Sequence, residues 1–153
     1  MKQLELKIPP LLLVIIFATL MWLFHFFFQI ILFSENIAIT LFSLFVISGL
    51  VIVITGALAF KKVQTTVNPT KPEATSSLVK TGIYTITRNP MYLGMASCLM
   101  GWGLYLGNPN SIIFIIGFIL YINRFQIKPE EKMLTKMFDQ EFIDYCASVR
   151  RWI

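Results

Sequence analysis

Residues 37–60 read IAITLFSLFVISGLVIVITGALAF, twenty-four consecutive positions without a charge. A run of about 20 apolar residues crosses the hydrocarbon core of a bilayer as a helix, because lipid offers the backbone no hydrogen-bond partner and a helix satisfies its own N–H and C=O groups. The rest of the chain repeats the pattern. Residues 8–33 form a second long apolar run, interrupted only by weakly polar residues, His25 and Gln29. It exceeds the roughly 7–15 apolar residues of a signal peptide and lacks a small-residue cleavage site, so it reads as a retained span. Further on, Met91–Leu106 and Ser111–Ile127 are separated by Gly107-Asn108-Pro109-Asn110, a strong turn signal, and read as a short helical hairpin. The expectation is an all-α integral membrane protein with about four transmembrane helices. A hydrophobic share of 56% and a mean hydropathy of +0.72 exclude an ordinary soluble domain.

The thirteen Lys and Arg residues sort onto one side of such a four-span chain. Lys2 and Lys7 precede the first span, Lys61, Lys62, Lys71, Lys80 and Arg88 follow the second, and Arg124, Lys128, Lys132, Lys136, Arg150 and Arg151 end or follow the fourth. Basic residues in short loops stay in the cytoplasm, so both termini and the middle loop are expected there, at the cell inner membrane if the source is bacterial. The net charge of +5 then reports topology and attraction to anionic lipids. No basic surface stripe with interleaved aromatics points to nucleic acid. Cys98 and Cys146 share neither compartment nor metal-ligand spacing, which argues against a disulfide or a bound metal.

Without internal repeats, the chain reads as one domain, 1–153: two N-terminal spans (1–60), a cytoplasmic loop (61–89), the hairpin (90–127) and a cytoplasmic tail (128–153). The loop carries Asn68-Pro69, Lys71-Pro72 and Gly82, all turn-prone. Its end runs into the third span through Asn89-Pro90, a pair suited to an N-cap and a first-turn proline. In the tail, Met133, Leu134, Met137, Phe138, Phe142, Tyr145 and Val149 recur every three or four residues between charged positions. That is an amphipathic helix, expected to lie in the interface after a break at Pro129.

Few residues could carry chemistry. Glu130 and Glu131 sit just beyond the membrane edge, where carboxylates bind ammonium groups or ribose hydroxyls; following Pro129, they equally suit a helix N-terminus. Arg88 either pairs with a carboxylate or phosphate or anchors the topology. His25, midway along a span, is expected to be a packing hydrogen-bond partner. No Ser-His-Asp set, phosphate-binding glycine loop or dinucleotide fingerprint occurs. Gly101 and Gly103 could pack against the chain's own helices or against a second copy.

The run Leu78-Val79-Lys80-Thr81-Gly82-Ile83-Tyr84, then Arg88-Asn89-Pro90-Met91-Tyr92-Leu93-Gly94, resembles the integral membrane methyltransferases of the isoprenylcysteine carboxyl methyltransferase family, related to phospholipid methyltransferases. The tail agrees: Glu130-Glu131-Lys132-Met133-Leu134, Phe138, Phe142, Tyr145 and Val149-Arg150-Arg151-Trp152 are similar to that family's closing motif. The resemblance covers roughly residues 60–153. It implies S-adenosylmethionine as cofactor, held by Leu78, Val79, Tyr84, Asn89, Pro90, Met91, Tyr92 and Glu130, and a lipophilic or lipid acceptor methylated on a carboxylate or thiol. Asn89 stands where the family commonly has histidine. Gln126 stands where the eukaryotic enzymes have a substrate-contacting arginine, with Arg124 nearby as a substitute. No general base is evident, and a carboxylate or thiolate acceptor needs none. Two other classes stay open: a scaffold or transporter subunit without activity, and a membrane reductase using NADPH.

Overall fold

A computed structural model describes residues 5–62 and 77–153. These residues form α1 (Pro10–Phe27), α2 (Glu35–Lys62), a short 3-10 turn (Gly82–Thr85), α3 (Pro90–Leu106), α4 (Ser111–Ile122), a π-helical turn (Asn123–Ile127) and α5 (Lys128–Ser148). The turn-prone pairs at 68–69 and 71–72 lie outside the described residues. Helices α1 and α2, and the long helix running from Ser111 to Ser148, are long and apolar enough to cross a membrane. Their outward faces carry Leu11, Phe27, Leu44, Ile54 and Leu120, all exposed. Side chains of that kind belong against lipid tails.

The inner seam is built by glycine. Gly49 and Gly56 on α2 are seven residues apart, as are Gly94 and Gly101 on α3. A seven-residue repeat keeps one stripe of each helix facing the other. The two helices run antiparallel, and their backbones nearly touch: a Cβ on Gly49 would come within 2.6 Å of the Gly94 carbonyl oxygen, and one on Gly101 within 3.1 Å of the Phe42 carbonyl oxygen. Gly103 faces Met21 and Ser111. Gly101 and Gly103 are thus both spent inside the chain's own bundle. Small residues at such crossings let backbones approach where lipid supplies no hydrophobic drive. Ser97 Oγ donates to the Phe45 carbonyl at 2.9 Å and adds a polar tie across the same seam. Met21, Leu99, Phe118 and Ile122, from α1, α3 and α4, form the buried centre.

Three boundaries depart from the sequence reading. The first apolar run continues to Phe33, yet α1 stops at Phe27. The hairpin turn takes over the backbone that follows: Asn108 Nδ2 donates to the Phe28 carbonyl at 2.7 Å, and the Leu32 amide donates to the Gly107 carbonyl at 3.2 Å. Second, the fourth span does not break at Pro129. It passes through the π turn into α5, so Glu130 and Glu131 are not at a free helix N-terminus and the dipole explanation for them falls. Third, the interruption of the tail helix comes at Asp139, whose φ of 41° and ψ of −119° are non-helical. His25, expected to hydrogen-bond to a neighbouring helix, has a buried Nδ1 with no partner among the described residues.

Candidate active site

The expected cofactor residues arrive from three elements. Val79 and Tyr84 come from the loop and are buried; Leu78 is half-buried beside them. Pro90, Met91 and Tyr92 come from the first turn of α3, against which Gly56 packs closely enough that an added Cβ would lie 3.1 Å from Pro90 and 3.2 Å from Met91. Glu130 comes from α5. The Tyr92 hydroxyl donates to Glu130 Oε1 at 2.6 Å. The Phe60 ring stands edge-on to Tyr84 at 5.4 Å. The Tyr145 hydroxyl donates to the Tyr84 carbonyl at 2.7 Å and fixes the loop against α5.

The neighbouring glutamate has a different fate. Glu131 receives two bonds from Arg151, Nε to Oε1 at 3.1 Å and Nη2 to Oε2 at 2.6 Å, and pairs with Arg88 Nη2 at 3.3 Å. The fork-on-carboxylate geometry is the strong form of ion pair. Arg151 is also held through its backbone: its carbonyl accepts Asn89 Nδ2 at 3.0 Å and Thr87 Oγ1 at 3.3 Å, while the Arg150 carbonyl accepts the Arg88 amide at 3.0 Å. Asn89 occupies the N-cap position of α3 but makes no side-chain capping bond. Its Nδ2 instead donates to a carbonyl sixty-two residues along the chain, which ties the side chain to the tail.

Glu130 has no cationic partner among the described residues. Burial pushes its carboxyl up from 4.5 to about 8, the Tyr92 hydrogen bond opposes this, and adjacent Glu131 adds to it. Burial likewise raises the Tyr84 and Tyr145 phenols, which stay neutral. Cys146 is raised by burial, partly offset by Arg88. Arg124 and Gln126 stand apart from this cluster. Arg124 is exposed and pairs with Glu5 at 3.6 Å, whereas Gln126 is fully buried and its Nε2 donates to the Ile8 carbonyl at 2.7 Å. The Glu131–Arg151 pair and the Tyr145 bond escaped the sequence reading; only the resemblance to a closing motif pointed toward those residues. A separate open cleft of about 480 Å³, lined by Lys80, Thr85, Glu141, Asp144, Tyr145, Ser148 and Val149, includes none of the expected cofactor contacts.

Residues 37–141 match the phospholipid methyltransferase family. The chain belongs to that family. It is thus a membrane protein of a methyltransferase family, and the resemblance seen in the two motifs holds. The chain is also 40% identical over 76 residues to a protein-S-isoprenylcysteine O-methyltransferase of Saccharomyces cerevisiae, a match covering 50% of this chain and 32% of the yeast protein. It is 44% identical over 63 residues to an uncharacterized protein of Haemophilus influenzae, covering 41% of this chain and all of that one. No solved structure matches.

Proposed function

We propose that this protein is an S-adenosylmethionine-dependent methyltransferase of the membrane, acting at the cytoplasmic face on the carboxylate or thiol of a lipophilic or lipid acceptor. One observation carries the reading: of two adjacent glutamates, Glu131 is saturated by two arginines, while Glu130 has, among the described residues, only the neutral Tyr92 hydroxyl. A buried carboxylate left without a cation suits a ligand that brings one, and S-adenosylmethionine brings an ammonium and a sulfonium. The donor set therefore fits the group. The bound cofactor would supply a methyl group already activated as an electrophile. Glu130 and Tyr92 would orient it, Val79, Tyr84 and Met91 would shield it from water, and alignment would account for most of the rate. The yeast relative, named as acting on an isoprenylcysteine, supports a carboxylate acceptor; the family's name supports a phospholipid.

Titration of the purified protein in nanodiscs with S-adenosylmethionine and with NADPH decides the class. Binding of the first alone supports the proposal, binding of NADPH alone supports a reductase, and a folded protein that binds neither is a scaffold. Label from methyl-labelled cofactor appearing in a membrane lipid extract would then reveal the acceptor.

The pH dependence has a definite sign. A cation favours ionised Glu130, so below about pH 8 binding must expel a proton from it. Affinity should rise with pH up to about 8 and level off above, with a slope approaching tenfold per unit for one proton. The ligand-free protein behaves oppositely: the stability that the raised carboxyl contributes is complete below about 4.5 and is lost as pH rises through about 8. Calorimetric titration between pH 6 and 9, approximate limits chosen to bracket that midpoint, checks the first statement. A flat profile would remove Glu130 from the site.

A further inference from the structure

The π turn is fastened from both sides by distant parts of the chain. Pro129 has no N–H for the Phe125 carbonyl four residues earlier. That carbonyl instead accepts the Leu6 amide at 3.0 Å, with Leu6 at a φ of 58°. Gln126 Nε2 donates to the Ile8 carbonyl at 2.7 Å, and Arg124 pairs with Glu5. From the tail, Trp152 Nε1 donates to Asn123 Oδ1 at 3.2 Å. Four of the five turn residues are thus held by Glu5–Ile8 or by Trp152.

A π turn takes up one residue more than an α turn, which rotates everything after it by about 100°, the angle between neighbouring residues. Glu130 and Glu131 are themselves one residue apart. With the turn wound as plain α-helix on a fixed α4, Glu130 would stand where Glu131 now meets Arg88 and Arg151, and Pro129 would face Tyr92. The turn decides which glutamate faces the phenols.

We propose that Gln126 and the Leu6–Ile8 segment are positioning residues: they hold the π turn, and the turn aims Glu130 at Tyr92 and Glu131 at the two arginines. The consequence for cofactor binding rests on the function proposed above; the aiming itself does not. Gln126, matched by sequence to a substrate contact, acts on this reading through Glu130.

The test titrates the Glu130 carboxyl in ligand-free protein by infrared difference spectroscopy, the band being assigned by its loss in Glu130→Gln. Gln126→Met keeps the length and loses the donor. Its midpoint should fall by at least a full unit from about 8, as the carboxyl turns toward Arg88 and Arg151. Gln126→Glu, whose buried acid can donate to the Ile8 carbonyl, should restore it. A folded Gln126→Met protein with the wild-type midpoint overturns the proposal. Should Gln126→Met not fold, Pro129→Ala takes its place, since it returns an N–H to compete for the Phe125 carbonyl and favours the α winding. The same shift is expected there, and a wild-type midpoint overturns the proposal equally. Affinity for S-adenosylmethionine, measured alongside, should fall at least tenfold in Gln126→Met. A moved midpoint with unchanged affinity upholds the positioning role and refutes Glu130 as the cofactor's carboxylate.

Discussion

Leucine in place of Gly94 is expected to prevent α2 and α3 from closing. A Cβ at this position meets the Gly49 carbonyl oxygen and lies 2.7 Å from Val53 Cγ2, so the first atom of any side chain already collides with backbone. Flexible side chains can move aside, but a helix backbone cannot move without taking the whole helix with it. Ordinary overpacking costs about 1–3 kcal/mol; a clash against two helix positions belongs at or above the top of that range. Because the same crossing sets Pro90 and Met91 against Gly56, the site would lose its α2 wall together with the seam. Gly94→Ala should show the same effect in milder form, since the methyl alone reaches the Gly49 carbonyl. Thermal unfolding of both variants in detergent, with retention in the membrane fraction on expression, provides the check. A leucine variant as stable as wild type would mean that the close crossing is not what holds these helices together.

The second large effect concerns Glu130→Ala. A hydrogen bond or ion pair to a charged group contributes about 1.5–3 kcal/mol, so loss of the carboxylate should weaken S-adenosylmethionine binding by roughly ten- to a hundredfold. Folding should change in the other direction. A carboxyl that burial pushes toward neutrality contributes little to holding the fold at neutral pH, and alanine removes its desolvation cost. Reduced affinity in a protein of undiminished stability is therefore the expected signature, read by titration and thermal unfolding of one sample. Glu131→Ala should show the reverse emphasis, because it strands Arg88 and Arg151 and loosens the tail. If Glu130→Ala bound the cofactor as wild type does, the carboxylate would have to be sought elsewhere in the site.

Much of the architecture was readable from local pattern. An uncharged run such as 37–60 can only be a span, and Gly107-Asn108-Pro109-Asn110 is a turn, with Gly107 at a φ of 66° capping α3. What escaped was decided by partners far along the chain. Nothing near Phe28 announces that Asn108 will claim its carbonyl. Pro129 looks like a break because the residue that accommodates it, Leu6, lies more than a hundred positions away. Asn89 was legible as a cap position, but not as a donor to Arg151. For the site, two residues that the motifs singled out, Tyr92 and Glu130, meet through a hydrogen bond, and their part in binding is the proposal made above. Arg124 and Gln126, carried over by position, face the N-terminal segment instead, because the π turn directs them there.

The unequal pairing of two consecutive glutamates has one last consequence. At the edge of a membrane, where the dielectric changes steeply, adding or removing a net charge is costly. A carboxyl that waits protonated and gives up that proton as a cation enters makes the exchange electroneutral. Below about pH 8 the protein thus keeps no bare anion at this boundary, and on the function proposed above filling the site becomes a swap of one positive ion for another.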